Sequence, residues 1–318
     1  MIMTDLVFGP VPSRRLGQSL GTNNIPPKIC TYSCVYCQVG RTMNMQVARS
    51  AFYDPEQIFN AVRQRVEAVT AAGERVDYLT VVPDGEPTLD INLGRAMALL
   101  KPLGIPIAVI CNSSLIWQED VRQDLAGADW VSLKVDAVDE SAWRRVDRPH
   151  RTLKIEAILE SALSFERSFE GKLVTETMLA ADINDDEANL RQVADFLARL
   201  RPAVAYVSIP TRPPAEERVH APDEVTVNRA YQILNQQVEH VEYLTGYEGN
   251  AFASTGNVTD DLLSITAVHP MREEAVVLLL HKAGADWGVV RQLLAEHQLV
   301  EAHYDGHTYY IRRFRRRL

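Results

Sequence analysis

From Val76 onward, short apolar runs alternate with amphipathic stretches. The segments RVDYLTVVP, IPIAVICN, ADWVSLKVDA, KLVTETMLAA and VAYVSIP are rich in Val, Ile, Thr and aromatics, the composition of strands. Between them apolar positions recur with a helical period. Ile58, Phe59, Val62, Val66 and Val69 follow Asp54-Pro55, a capping residue with proline at the first helical position. Leu190, Val193, Leu197 and Leu200 share one face of NDDEANLRQVADFLARL, and APDEVTVNRAYQILNQQV predicts the last helix of the series. With one more strand near RLGQSLGTNNI, the chain reads as about six β-α units in a row. Such alternation predicts an α/β fold with a parallel sheet and right-handed crossovers. Six units suit an incomplete (β/α)6 barrel better than a closed barrel of eight, and chemistry then belongs at the C-terminal ends of the strands.

After Thr245 the pattern changes. GYEGNAFASTGNVTDD is rich in Gly, Asn and Asp and reads as a connector. HPMREEAVVLLLHKAG and DWGVVRQLLAEHQ read as two helices, and LVEAHYDGHTYYIRRF as two strands around an Asp305-Gly306 hairpin turn. Helix, helix, hairpin is a winged-helix pattern. The predicted division is a barrel over 1–245, a connector over 246–261 and a winged-helix-like module over 262–318.

Composition narrows the classes of function. The chain is 46% hydrophobic and 24% charged, as in an ordinary globular protein, and no apolar run approaches the ~18 residues of a membrane helix. The N-terminal MIMTDLVFGP lacks the basic flank and apolar core of a secretory signal, so a cytoplasmic location is expected. A net charge of −9 argues against bulk binding to nucleic acid. The exception is the tail RRFRRRL, with five arginines in its seven residues.

Three of the four cysteines stand within CTYSCVYC, at Cys30, Cys34 and Cys37. In a reducing compartment such clustering points to metal ligation rather than a disulfide. A structural zinc site wants four closed ligands, yet the other thiol, Cys111, falls inside a predicted strand and the nearest histidine is His150. A cluster of four irons wants one terminal ligand per iron, so three thiolates leave one iron open to a small molecule. An open position on a metal is a catalytic device.

CxxxCxxC with an aromatic residue, Tyr36, before the last cysteine resembles the signature of the radical S-adenosylmethionine superfamily. The resemblance implies a [4Fe–4S] cluster held by Cys30, Cys34 and Cys37, with the methionine moiety of S-adenosyl-L-methionine on the fourth iron and Tyr36 near the adenine. A second match is VVPDGEPTL, where Gly85 and Glu86 follow a strand as in the superfamily's glycine-rich motif. There the carboxylate accepts from the methionine ammonium, and Asp84 stands where a first glycine is usual. In WVSLKVDA, alternation puts Ser132, Lys134 and Asp136 on one face, and the resemblance implies nucleoside contacts for Ser132 and Asp136. Thr175, Glu176 and Thr177 add polar groups whose facing the pattern leaves open.

Around these motifs FGPVPSRRLGQSLGTNNIPPKICTYSCVYCQVGRT, DGEPTLD, RVDRPH and IPTRPPAE resemble Fe–S oxidoreductases related to the wyosine tRNA-base synthases. The implied chemistry is reductive cleavage of S-adenosylmethionine to a 5′-deoxyadenosyl radical, which takes a hydrogen atom from the substrate. That step asks the protein for no nucleophile or base. Reduced flavodoxin or ferredoxin is the electron donor the resemblance implies, with a small-molecule or RNA substrate. Wyosine-like base modification is one alternative, although Cys111 is the only thiol left for a second cluster. The other is a non-catalytic metal-sensing winged-helix regulator, which leaves Gly85-Glu86 and the barrel pattern unexplained. Arg14, Arg15 and Arg41 flank the cysteines as possible anion-binding residues.

Overall fold

The computed structural model describes residues 6–245, 252 and 254–313. β1 (Val7–Ser13) and β2 (Gly17–Thr22) form an antiparallel hairpin. A short parallel pair, β3 (Ile29–Cys30) and β4 (Asn44–Met45), brackets the cysteine loop. There follow α1 (Pro55–Ala71), β5 (Tyr78–Val81), α2 (Leu93–Leu100), β6 (Ile107–Cys111), α3 (Glu119–Leu125) and β7 (Trp130–Lys134). Two helices, α4 (Glu140–Val146) and α5 (Ile155–Glu166), lead to β8 (Lys172–Met178). Then come α6 (Glu187–Leu200), β9 (Val204–Ser208), α7 (Glu224–Asn235) and β10 (Val241–Leu244).

The main sheet has eight strands in the order β1-β2-β5-β6-β7-β8-β9-β10, and every pair from β2 to β10 is parallel. Each crossover passes to the next strand in the same direction, so the helices cover one face and the sheet curls into a half-barrel. The predicted helical faces are the buried ones. Ile58, Val62 and Val69 are fully covered, as are Leu190, Val193, Leu197 and Leu200. Aspartates cap the helices: Asp54 accepts from Glu56 N–H, Asp186 from Asn189 N–H and Asp223 from Thr226 N–H.

Two edge strands extend the six that the pattern predicts. β1 contains a glycine and two prolines, which demote a run to an edge, and it sits at the edge with a register shift between Phe8 and Val11. β10 closes the other side with Val241 buried but Glu242 and Tyr243 exposed, so no apolar run announces it.

The C-terminal elements are α8 (Val258–Val268), β11 (Met271–Arg272), α9 (Glu273–Lys282), α10 (Gly288–Ala295), β12 (Leu299–Tyr304) and β13 (His307–Arg312). Their sheet runs β11-β13-β12. Asp305 and Gly306 both have left-handed backbones, with φ of 47° and 71°, as a two-residue hairpin turn requires. The stretch read as a connector ends inside α8, whose first turn is 258–261, and its residues 246–251 and 253 lie outside the described residues. The basic tail is described as far as Arg313, and the rest of it, 314–318, lies outside. Phe8 and Val11 of β1 share a core with Phe252, Leu262, Ile265 and Leu279, so this C-terminal unit packs directly on the barrel.

Candidate active site

A cavity of about 360 Å3 opens where the parallel strands end. Val82 after β5, Asn112 after β6, Lys134 in β7, Met178 in β8 and Ser208 in β9 line it. Cys30, Cys34 and Cys37 are on the same wall, each half-buried and free. The two sequence motifs are joined edge to edge. Ile29 and Gly85 form a parallel bridge, Glu86 N–H donates to Ile29 O at 3.1 Å, and Lys28 N–H donates to Asp84 O at 2.7 Å. A Cβ on Gly85 would stand 2.1 Å from Ile29 O. The glycine is therefore required by the approach of the cysteine strand itself.

The other side of the cysteine loop rests on the RVDRPH segment. Val35 N–H donates to Val146 O at 2.9 Å, Ser33 N–H to Asp147 O at 3.0 Å and His150 N–H to Thr31 O at 2.9 Å. The Cys34 thiol donates to Asp147 Oδ1 at 3.2 Å, and Asn112 Nδ2 donates to Cys30 Sγ at 3.5 Å. Burial, and next the Glu86 carboxylate, pushes the Cys30 thiol up to about 12. Burial likewise raises Cys34 and Cys37; Cys37 and Cys30 add to the rise at Cys34, while Lys28 opposes it at Cys37. The metal-free chain thus holds thiols, and a bound metal takes the place of their protons. Among the described residues, no three His, Cys, Asp or Glu side chains converge as a single-ion site. Three thiols lining one cavity fit the other demand, one terminal thiolate for each of three irons.

Glu86 is 1% exposed, and both its oxygens are engaged. Thr88 N–H and Oγ1 donate to Oε1, and Asn112 N–H donates to Oε2 at 2.7 Å. Burial raises its carboxyl to about 7 against these bonds. Tyr36 lines the cavity, while its hydroxyl turns away to donate to Asp136 and, at 3.3 Å, to Asp147. Asp136 also accepts from Met178 N–H at 2.6 Å. Burial pushes Asp136 and Asp147 up, and at Asp147 the Asp136 charge adds to it. Neither Ser132 nor Asp136 lines the cavity, and both are 2% exposed.

The inward polar residues that alternation alone left undecided are now placed. Glu176 faces the cavity, whereas Thr175 and Thr177 turn outward and are buried. Glu176 accepts from Arg15 at 2.7 Å, Lys134 at 2.9 Å and Ser208 at 2.9 Å. Burial works to raise its carboxyl, but Lys134 and Arg15 outweigh this and hold it well below the ordinary range. Burial likewise works to depress Lys134, and Asp136 and Glu176 reverse that, keeping the ammonium charged. Arg15 therefore serves the barrel interior, while Arg14 is exposed and Arg41 pairs with Glu216 at 2.9 Å.

The C-terminal unit reaches the same cavity. His269, at the end of α8, bonds Arg212, whose other amine donates to Gln38 Oε1 at 2.6 Å beside Cys37. Tyr309 and Tyr304 donate to Thr211 O at 2.9 Å and Pro210 O at 3.1 Å.

Comparison with known proteins agrees with this geometry. The model of the radical SAM superfamily matches residues 24–197. A UPF0026 protein of Methanocaldococcus jannaschii is 45% identical over 314 residues, which are 98% of this chain and 97% of that one. A radical SAM methyltransferase from Sphaerobacter thermophilus superposes with a TM-score of 0.55 at 16% identity, covering 71% of this chain and 66% of that one. A structure of TYW1 with a lysine–pyruvate adduct bound gives 0.54 at 15% identity, covering 69% and 74%. These structures speak to the fold, and the family match and the relative speak to descent. With its half-barrel, its three thiols and its Gly-Glu turn on one cavity, this chain is an enzyme of the radical SAM superfamily, a family whose chemistry implies S-adenosylmethionine, an iron–sulfur cluster, an electron donor and a substrate.

Proposed function

We propose that Cys30, Cys34 and Cys37 hold a single [4Fe–4S] cluster, that S-adenosylmethionine binds on its open iron, and that the enzyme takes a hydrogen atom from a small molecule in the adjoining cavity. The observation that carries this reading is the junction of the cysteine strand with the Gly85-Glu86 turn, which brings the three thiols and Glu86 onto one wall. When bound, the cluster and its ligand supply one-electron cleavage of a sulfonium followed by hydrogen abstraction. The protein's own residues bind, orient and exclude water. Glu86, held by Thr88 and Asn112, presents a pre-oriented carboxylate to the methionine ammonium. The Tyr36 ring offers a face to the adenine, and Asp136 acts through it by anchoring its hydroxyl. Ser132, on the same face of β7 as Lys134, supports the site through its carbonyl, which accepts from the Cys111 thiol at 3.6 Å. Lys134, Glu176 and Ser208 meet the polar parts of the ligands, while Val82, Ile110 and Met178 keep the cavity dry.

Cys111, 5% exposed in β6, supplies no second cluster, which favours a single-cluster enzyme over wyosine-type chemistry. We read 1–245 as the barrel and the C-terminal elements as a winged-helix-like module that starts with α8 and covers one side of the cavity. The electron donor in this reading is a reduced flavodoxin or ferredoxin in the cytoplasm. The test is anaerobic reconstitution of the full chain with iron and sulfide, followed by dithionite and S-adenosylmethionine. About four irons per chain, a brown colour and release of 5′-deoxyadenosine are expected. A colourless protein that retains zinc instead would favour the regulator and reject the enzyme mechanism.

A further inference from the structure

Nothing in cofactor binding calls for the buried ion pair between Lys28 and Asp84. Lys28 Nζ lies 3.3 Å from Asp84 Oδ1, with the two side chains 9% and 4% exposed. Lys28 stands two residues before Cys30 and Asp84 two before Glu86, so the pair spans the same junction that the backbone bonds already close. Both residues line the cavity. A Cβ on Gly40 would come 3.6 Å from Lys28 Nζ, and Gly40 N–H donates to Cys37 O at 3.0 Å, so the ammonium sits under the turn that follows Cys37. The pair is thus a buried dipole whose positive end lies under the turn that follows Cys37.

Burying two charges costs several kcal/mol per ion even when they are paired, and an apolar pair of similar volume holds two strands together as well. The charge itself is therefore the feature to explain. An electron added to an iron–sulfur cluster makes it more negative, and a fixed cation nearby in a low-dielectric wall favours that state. We propose that Lys28, oriented by Asp84, sets the reduction potential of the cluster held by Cys30, Cys34 and Cys37, easing its one-electron reduction by the donor. Lys28 is a positioning residue in this sense, acting through the cysteines, and the inference rests on the cofactor reading above.

The test is an anaerobic redox titration of the reconstituted full chain, followed by electron paramagnetic resonance without substrate. Lys28→Met is expected to lower the midpoint, so that the reduced-to-oxidised ratio at the wild-type midpoint falls about tenfold, ~59 mV for one electron. Asp84→Asn leaves the ammonium uncompensated and is expected to move the midpoint the opposite way. Lys28→Arg keeps the charge and is expected to titrate near the wild type. Unmoved midpoints, or shifts of the same sign in Lys28→Met and Asp84→Asn, overturn the proposal. If Lys28→Met does not load, the sign of the Asp84→Asn shift decides alone. A wild-type chain that takes up no iron–sulfur cluster sinks the cofactor reading and this inference with it; a loaded cluster with an unmoved potential sinks this inference only.

Discussion

The two ends of the half-barrel interior have opposite chemistry. At the amino ends of the strands, Ala108, Trp130, Val174 and Val204 pack with Leu16 into an apolar floor. At the carboxyl ends, the same inward faces of β6 to β9 present Asn112, Lys134, Glu176 and Ser208 to the cavity. Arg15 joins the two ends. Its guanidinium lies 5.8 Å from the Trp130 ring and 5.7 Å from the Tyr206 ring, while one amine bonds Glu176. The same strand face thus packs as core at one end and turns polar groups into the cavity at the other. Charges are tolerated where a ligand enters, and apolar packing fills the interior where none does.

Substitutions at each end separate these roles. The largest effect is expected from Cys34→Ala at the mouth, which removes a terminal ligand and the cluster's visible absorption with it; full iron content in this variant would detach the thiols from the site. At the floor, Trp130→Ala is expected to cost about 3–5 kcal/mol in denaturant unfolding, the range for a fully buried large aromatic. The folded fraction should still load its cluster, and a loss of iron binding without a loss of stability would blur the two ends. The smallest effect is expected from Glu86→Gln, which keeps the acceptor for Asn112 N–H but removes the charge. Affinity of the loaded enzyme for S-adenosylmethionine should fall about tenfold, or ~1.4 kcal/mol. Unchanged affinity in equilibrium binding would reject the ammonium contact.

The helices and central strands were legible along the chain because burial repeats with a period. The faces through Ile58 and Val62 and through Leu190 and Leu197 are helical in the sequence and buried in the fold. The elements that escaped are those without a clean repeat. β1 carries prolines, β10 exposes Glu242 and Tyr243, and α8 mixes Asp, Ser and Thr with its apolar residues. Ser132 and Asp136, tied to nucleoside contacts by resemblance, do not line the cavity, whereas Lys134 and Glu176, which carried no such role, do. Alternation assigns residues to two faces; it does not say which of them a ligand reaches.

By itself, the sequence determined the class of chemistry and the scaffold that carries it, because three thiols at fixed spacing, a Gly-Glu turn after a strand and the β-α rhythm are local patterns. Only the tertiary structure decided which charges meet. Arg15 and Glu176 are 161 residues apart in the chain, and Lys28 meets Asp84 only because the cysteine strand docks on the Gly85 turn. Those encounters follow from the curl of the sheet and the approach of backbones, and ion pairs of that kind leave no periodic trace in the order of residues.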